Sequence, residues 1–133
     1  MPSEISWLIE GRVVYMRDYG IYTVDHLKDA LVVVQQYFDA GTPPMYLVQD
    51  NRDVVQFPRS VQALRPLLKA HPHVSRVVYI KNPDQPAIRY MTSILVSLAG
   101  MAFTAVDDLE DALQTLKEID PTLLQDENDH SKD

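Results

Sequence analysis

The sequence predicts an α/β fold: a single domain on a mainly parallel, mixed sheet of about five strands, with an N-terminal hairpin and about four helices. Three observations carry this. Short apolar runs alternate with longer stretches at helical spacing, in the order β-β-α-β-α-β-α-β-α. Turn residues punctuate the boundaries between them. The closing stretch, Phe103 to Leu116, passes from an apolar strand through Asp107-Asp108 into an amphipathic helix. Strands separated by helices imply right-handed crossovers and parallel pairing.

Each element has its own justification. Ile5, Trp7 and Ile9 alternate with more polar neighbours, and Gly11-Arg12 links them to Val13-Val14-Tyr15-Met16, which reads as a hairpin. Gly20 is expected to end the second strand. Thr23 is a suitable N-cap and Asp25 complements the dipole of the first turn. Leu27, Leu31, Val34 and Phe38 then form one stripe until Gly41 and Pro43-Pro44 stop the helix. Met45 to Val48 reads as a short buried strand, followed by a loop from Asn51 to Pro58.

Ser60 to Ala70 has a helical pattern through Val61, Leu64 and Leu68, but Pro66 removes a backbone donor, so a kink or two short helices are expected. After His71-Pro72-His73, Val74 to Ile80 is rich in β-branched residues and reads as a strand. Asn82-Pro83-Asp84-Gln85-Pro86 is turn chemistry. Ala87 to Ala99 follows as a helix with Ile88, Met91, Leu95 and Leu98 on its buried side and Gly100 at C′. Met101 to Val106 is the last strand. Asp107 or Asp108 caps the last helix, whose apolar face is Leu109, Ala112, Leu113 and Leu116. The domain is expected to span residues 1–120. Residues 121–133 form an acidic tail, disordered from Gln125 to Asp133.

Composition narrows the function classes. At 133 residues, 46% hydrophobic and 23% charged, the chain matches an ordinary soluble globular domain. The absence of cysteine excludes disulfides, thiolate metal ligands and a cysteine nucleophile. The N-terminus has no basic n-region, so no secretory signal is expected and the cytoplasm is the expected location. The longest charge-free stretch, Tyr90 to Val106, falls short of a membrane span of about 20 residues, so no membrane partner is expected. The net charge of −7 makes sequence-independent nucleic-acid binding an unsuitable reading, since that needs a clustered basic face. The charge is uneven: residues 52–89 carry seven Lys/Arg against two Asp/Glu, and residues 90–133 carry two against ten. The basic middle is therefore a candidate surface for an anion or an acidic partner.

The element order, with Phe103, Asp107, Asp108, Leu109, Glu110, Ala112 and Leu113 at the close, resembles the STAS family (sulfate transporter and anti-sigma factor antagonist domains). Val77 to Ile80, Asn82-Pro83 and Ile88-Arg89-Tyr90 resemble the penultimate unit of its stand-alone bacterial members. The resemblance covers roughly residues 5–120 and rests on structural rather than catalytic motifs. It implies a non-enzymatic regulatory or protein-interaction module without cofactors, acting through a protein partner. Antagonist-type members are phosphorylated on a serine just after the third strand. Here that neighbourhood reads Val48-Gln49-Asp50-Asn51-Arg52-Asp53, and the first hydroxyl is Ser60, so the resemblance does not extend to the serine switch.

Candidate sites follow from position. Asp50, Asn51, Arg52, Arg59, Ser60, Lys81 and Asn82 are expected on one rim at the carboxyl ends of strands, where open α/β sheets bind ligands or partners. Asp18 is expected at a strand end as well. Ser60, next to Arg59, is either a plain N-cap or a phosphorylation site. Tyr90, Ile94 and Val96 broaden the apolar surface of their helix and suggest a homodimer contact or a small apolar pocket. His26, His71, His73 and His130 lack metal-ligand spacing, and the two in the Pro-containing turn read as solvated, so no metal is expected. Two other readings remain: a small-ligand sensor taking an apolar or anionic molecule, and an enzyme using Asp50 with Lys81.

Overall fold

A computed structural model describes residues 3–124. Five strands lie in the order β1-β2-β3-β4-β5. β1 (Ser3–Ile9) is antiparallel to β2 (Val13–Ile21), and β3 (Met45–Gln56), β4 (Val74–Ile80) and β5 (Phe103–Val106) continue in parallel with β2. The helices are α1 (Val24–Ala40), α2 (Val61–Leu64) with a 3₁₀ turn over Arg65–Leu67, α3 (Pro86–Leu98) and α4 (Leu109–Ile119). The element order is the one expected from the sequence.

Each parallel connection steps one strand in the same direction, so right-handed crossovers bring α1, α2 and α3 to one face of the sheet. Ala30, Val34, Phe38 and Val96 pack there with Val14, Met16, Met45, Leu47 and Val77. Leu27, Leu64, Ile88 and Leu95 extend that layer onto Tyr22, Val54 and Phe57. On the other face α4 sets Ala112 and Leu116 against Val13, Tyr46, Val48, Val78 and Ile80. Alternation deals Met45 and Leu47 to the first face and Tyr46 and Val48 to the second. Burial on both faces explains the continuous apolar runs of β3 and β4. Each fully buried aliphatic contributes about 1.5–3 kcal/mol.

Caps follow the sequence closely. The Thr23 side chain accepts from the His26 amide at 3.2 Å, and His26 Nδ1 accepts from the Thr23 amide at 3.1 Å, closing a capping box. Ser60 caps α2 by accepting from the Ala63 amide at 3.1 Å, and Pro66 breaks the helical pattern as expected. Asp108, not Asp107, caps α4, accepting from the Asp111 amide at 2.8 Å. Gly100 has φ 74°, the left-handed conformation that closes α3.

The structure corrects the sequence reading in five places. The hairpin link is three residues, 10–12, with Gly11 at φ 78° and the Arg12 amide returning to the Ile9 carbonyl at 3.0 Å. β2 passes through Gly20, whose φ of 70° coincides with a register shift, and ends at Ile21. β3 does not give way to a loop at Asn51; it pairs with β2 as far as Gln56. The buried side of α3 is Ile88, Thr92, Leu95 and Val96, while Leu98 is 44% exposed. A polar residue takes an inward position because its hydroxyl is satisfied by Asn51 and the Ile88 carbonyl. The folded unit also passes residue 120: Leu123 is fully buried with Leu116 and Val13. The rest of the expected tail, 125–133, lies outside the described residues, as does His130. Among the described residues, no helix is long and apolar enough to cross a membrane.

Candidate functional site

β3 governs the polar chemistry of the molecule because its successive side chains face opposite layers. Leu47, Gln49 and Asn51 point to the three-helix face, and Val48, Asp50 and Arg52 to the other. The residues expected to share one rim are therefore divided.

On the three-helix face a cavity of about 90 Å³ lies between α1 and α3. Met16, Leu47 and Val77 form its floor, Leu27 and Leu31 one wall, and Leu95 and Val96 the other. Phe57, Leu67 and Leu68 roof it from the segment joining β3 to β4, and the exposed Lys69 beside them belongs to the lining. This lining is mostly hydrocarbon. Its buried polar exceptions are Gln49 on β3 and Thr92 on α3.

Gln49 is held from behind by Asp18. The Gln49 Nε2 group donates to Asp18 Oδ2 at 3.2 Å, and Ser3 Oγ donates to Asp18 Oδ1 at 2.8 Å. Ser3 Oγ also lies 2.7 Å from the Tyr22 hydroxyl, and either oxygen can be the donor. Asp18 is wholly buried. Loss of solvation pushes its carboxyl up to about 6, against the opposing pull of hydrogen bonds from Ser3, Gln49 and Tyr22. Thr92 donates to the Ile88 carbonyl at 3.0 Å and accepts from Asn51 Nδ2 at 3.2 Å. Asn51 Oδ1 and the Tyr79 hydroxyl are buried near this end with no well-aligned hydrogen-bond partner among the described residues, and burial pushes the Tyr79 hydroxyl up against the weaker pull of Thr92, Asn82 and Asn51.

On the α4 face, Asp50 sits in mid-strand with almost no exposure. The Tyr15 hydroxyl donates to it at 2.5 Å, and Arg52 clamps it from Nε at 3.0 Å and Nη2 at 2.8 Å. Burial alone pushes this carboxyl up. The hydrogen bonds from Arg52 and Tyr15 outweigh it and hold the group below its ordinary value, while the Tyr15 hydroxyl is pushed up to about 12. Lys81 is bound elsewhere, 3.0 Å from Asp107. Asp50 and Lys81 thus have separate partners, and the pair that the enzymatic alternative requires is not assembled.

The other expected residues are placed as follows. Asn82 is buried and bonds to the backbone of β3. Ser60 serves as the cap of a four-residue helix, with Arg59 exposed beside it. Tyr90 is 68% exposed and Ile94 half-buried, whereas Val96 faces the sheet and lines the cavity rather than the surface. His71 is not a solvated turn residue: its Nε2 lies 2.7 Å from Asp39, and His73 Nδ1 lies 2.9 Å from the Phe38 carbonyl, tying that turn to the end of α1. Among the described residues, no cluster of three or more side chains is arranged to hold a metal ion.

The sequence reading missed Gln49, Asp18 as its support, and Lys69. The signal for Gln49 was present: it stands two residues after Leu47 and so shares its face.

A structural comparison adds a relative in fold. The chain superposes with a TM-score of 0.58 on an uncharacterised protein of the DUF3478 family, with a SpoIIAA-like fold, from Shewanella loihica PV-4. The two share 18% identity over 86% of this chain and 91% of that one. The fold is SpoIIAA-like. It is therefore the STAS-like scaffold that the closing segment resembles. No protein-family model matches the chain, and no curated protein matches it.

Proposed function

We propose that this SpoIIAA-like domain is a non-enzymatic regulatory module that takes up a small apolar molecule between α1 and α3 and presents α3 to a protein partner. The supporting observation is the 90 Å³ cavity with its hydrocarbon floor and walls. α3 links the two events. Thr92, Leu95 and Val96 line the cavity, and Tyr90 and Leu98 stand exposed on the same helix. The absence of chemistry is supported by Asp50 and Lys81, which are engaged by Tyr15, Arg52 and Asp107 instead of each other.

Titration of labelled protein with cyclopentane-sized probes, followed by amide NMR shifts, tests this. Shifts are expected along α1, α3 and the Phe57 to Leu68 roof, and they should vanish in a Leu95→Trp variant that fills the cavity. Unchanged spectra at probe saturation, or equal shifts in the filled variant, overturn the reading.

A second reading, interaction through α3 without a ligand, is favoured by the exposed Tyr90 and Leu98. It predicts a homodimer or a protein complex that Tyr90→Glu with Leu98→Glu disrupts whether or not the cavity is filled, measured by light scattering.

A further inference from the structure

The polar end of the cavity has a fixed polarity. A side-chain amide carries both a donor and an acceptor, and in solution it turns either way. Gln49 is constrained because its neighbour Asp18, as a carboxylate, only accepts. The Nε2 group must therefore face Asp18, 3.2 Å away, with Ser3 occupying the other carboxylate oxygen at 2.8 Å. The Gln49 Oε1 atom is left without a partner among the described residues, in a residue that lines the cavity and is only 8% exposed. Thr92 cannot supply that partner, since its hydroxyl hydrogen is directed to the Ile88 carbonyl at 3.0 Å. Of the two polar residues that line this end, Gln49 thus offers an acceptor and Thr92 no free donor; the Tyr79 hydroxyl and Asn51 Oδ1 lie nearby but outside the lining.

We propose that Gln49 is the specificity-determining residue of this cavity, its Oε1 accepting from the hydroxyl of a small aliphatic alcohol whose hydrocarbon body fills the space between α1 and α3. This rests on the ligand-binding reading above and names the class of molecule. A charged ammonium donor is excluded by the desolvation it would suffer against Leu47, Val77 and Leu95. A ketone or ether of the same shape would set oxygen against oxygen and leave Gln49 unpaired. Asp18 is the positioning residue: it fixes which end of the amide faces the ligand.

The experiment compares cyclopentanol, cyclopentanone and methylcyclopentane as probes at pH 8, with dissociation constants from amide NMR shifts. In the natural protein, cyclopentanol should bind about five- to tenfold more tightly than cyclopentanone, the scale of one hydrogen bond. Gln49→Met should abolish this preference, so that cyclopentanol and cyclopentanone bind alike. Asp18→Asn supplies a donor where the carboxylate stood, lets the Gln49 amide turn over, and should shift the preference toward cyclopentanone. That inversion is a result that a merely structural role for Asp18 would not produce. If all three probes bind and neither variant changes their ranking, Gln49 does not determine specificity and only the ligand-binding reading survives. If no probe binds the natural protein, both fall together.

Discussion

Asn82 donates from Nδ2 to the carbonyl oxygen of Val54 at 2.9 Å, supplying a hydrogen bond that a neighbouring strand would otherwise give. β4 pairs with β3 only as far as Asp50 opposite Ile80, yet β3 runs on to Gln56. Over that extension the edge away from β2 has no strand beside it. Asn82 serves two of its carbonyls, those of Asn51 at 3.2 Å and Val54, while its own Oδ1 accepts from the Asp84 amide at 3.0 Å.

Asn82→Leu should therefore destabilise the protein by about 1–3 kcal/mol, because buried carbonyls lose their donor. The loss should be local as well as global. Amide hydrogen exchange is expected to accelerate from Arg52 to Gln56 more than in the Val13 to Met16 segment of β2. Equal acceleration in both would mean that Asn82 does not hold the extension.

Asp18 predicts an inverted pH dependence. Its carboxyl is pushed up to about 6 in the folded protein from an ordinary 3.8, chiefly by burial. Between those values the folded state binds more protons than the unfolded one, so stability falls as pH rises through the window. Above it the cost approaches about 3 kcal/mol. Asp18→Asn should remove that slope and raise the melting temperature at pH 7 relative to pH 4. Denaturant unfolding at both pH values measures this, and an unchanged slope in the variant would rule out Asp18 as its source.

Asp50 works in the opposite direction, since Arg52 and Tyr15 together hold its carboxyl below the ordinary value despite burial. Its stabilisation is present above the unfolded pKa and is lost as pH falls. Arg52→Ala leaves a buried carboxylate with two side-chain hydrogen bonds fewer and should cost about 1–3 kcal/mol, given that the Arg52 side chain is itself 37% exposed. Arg52→Lys should recover little of this, because an ammonium cannot reproduce the contacts from Nε and Nη2 to two different oxygens. Unfolding at neutral pH separates the two variants from the natural protein.

The contrast between Asp18 and Asp50 shows what was legible in the sequence. Strand–helix order, the Thr23 cap, the stop at Gly41 and the break at Pro66 all follow from local rules, and the structure agrees with them. β3 was hidden because Asn51, Arg52 and Asp53 have turn-like composition. Their strand conformation comes from the pairing of Asp53 with Tyr19 and of the following Val54 with Gly20, across sequence distance, and from Asn82. A strand that stops at Gln49-Asp50 gives no alternation to follow beyond it, so Asp50 and Asn51 fall on one expected rim although they face opposite layers. The cavity is partly legible as excess apolar surface on α3, where Tyr90, Ile94 and Val96 suggest a homodimer contact or a small apolar pocket; the inward turn of Thr92 is not legible, because it depends on a partner 41 residues away.

Leu123 tests the extent of the folded unit. The chain does not leave the domain at Asp120, whose carboxylate binds Arg12 at 2.8 Å and the Tyr46 hydroxyl at 2.9 Å. The Thr122 amide and hydroxyl return to that carboxylate, and the turn so made sets Leu123 wholly inside the α4 layer beside Leu116 and Ile9. Leu123→Ala should cost about 2–5 kcal/mol, the range for a buried leucine whose surroundings cannot collapse. Leu124→Ala, one position on and 45% exposed, should cost well under 1 kcal/mol. Truncation after Asp120 should resemble the first variant rather than the second in thermal unfolding. If it melts like the natural protein, the four residues 121–124 contribute nothing to the core and the domain does end where its sequence turns acidic.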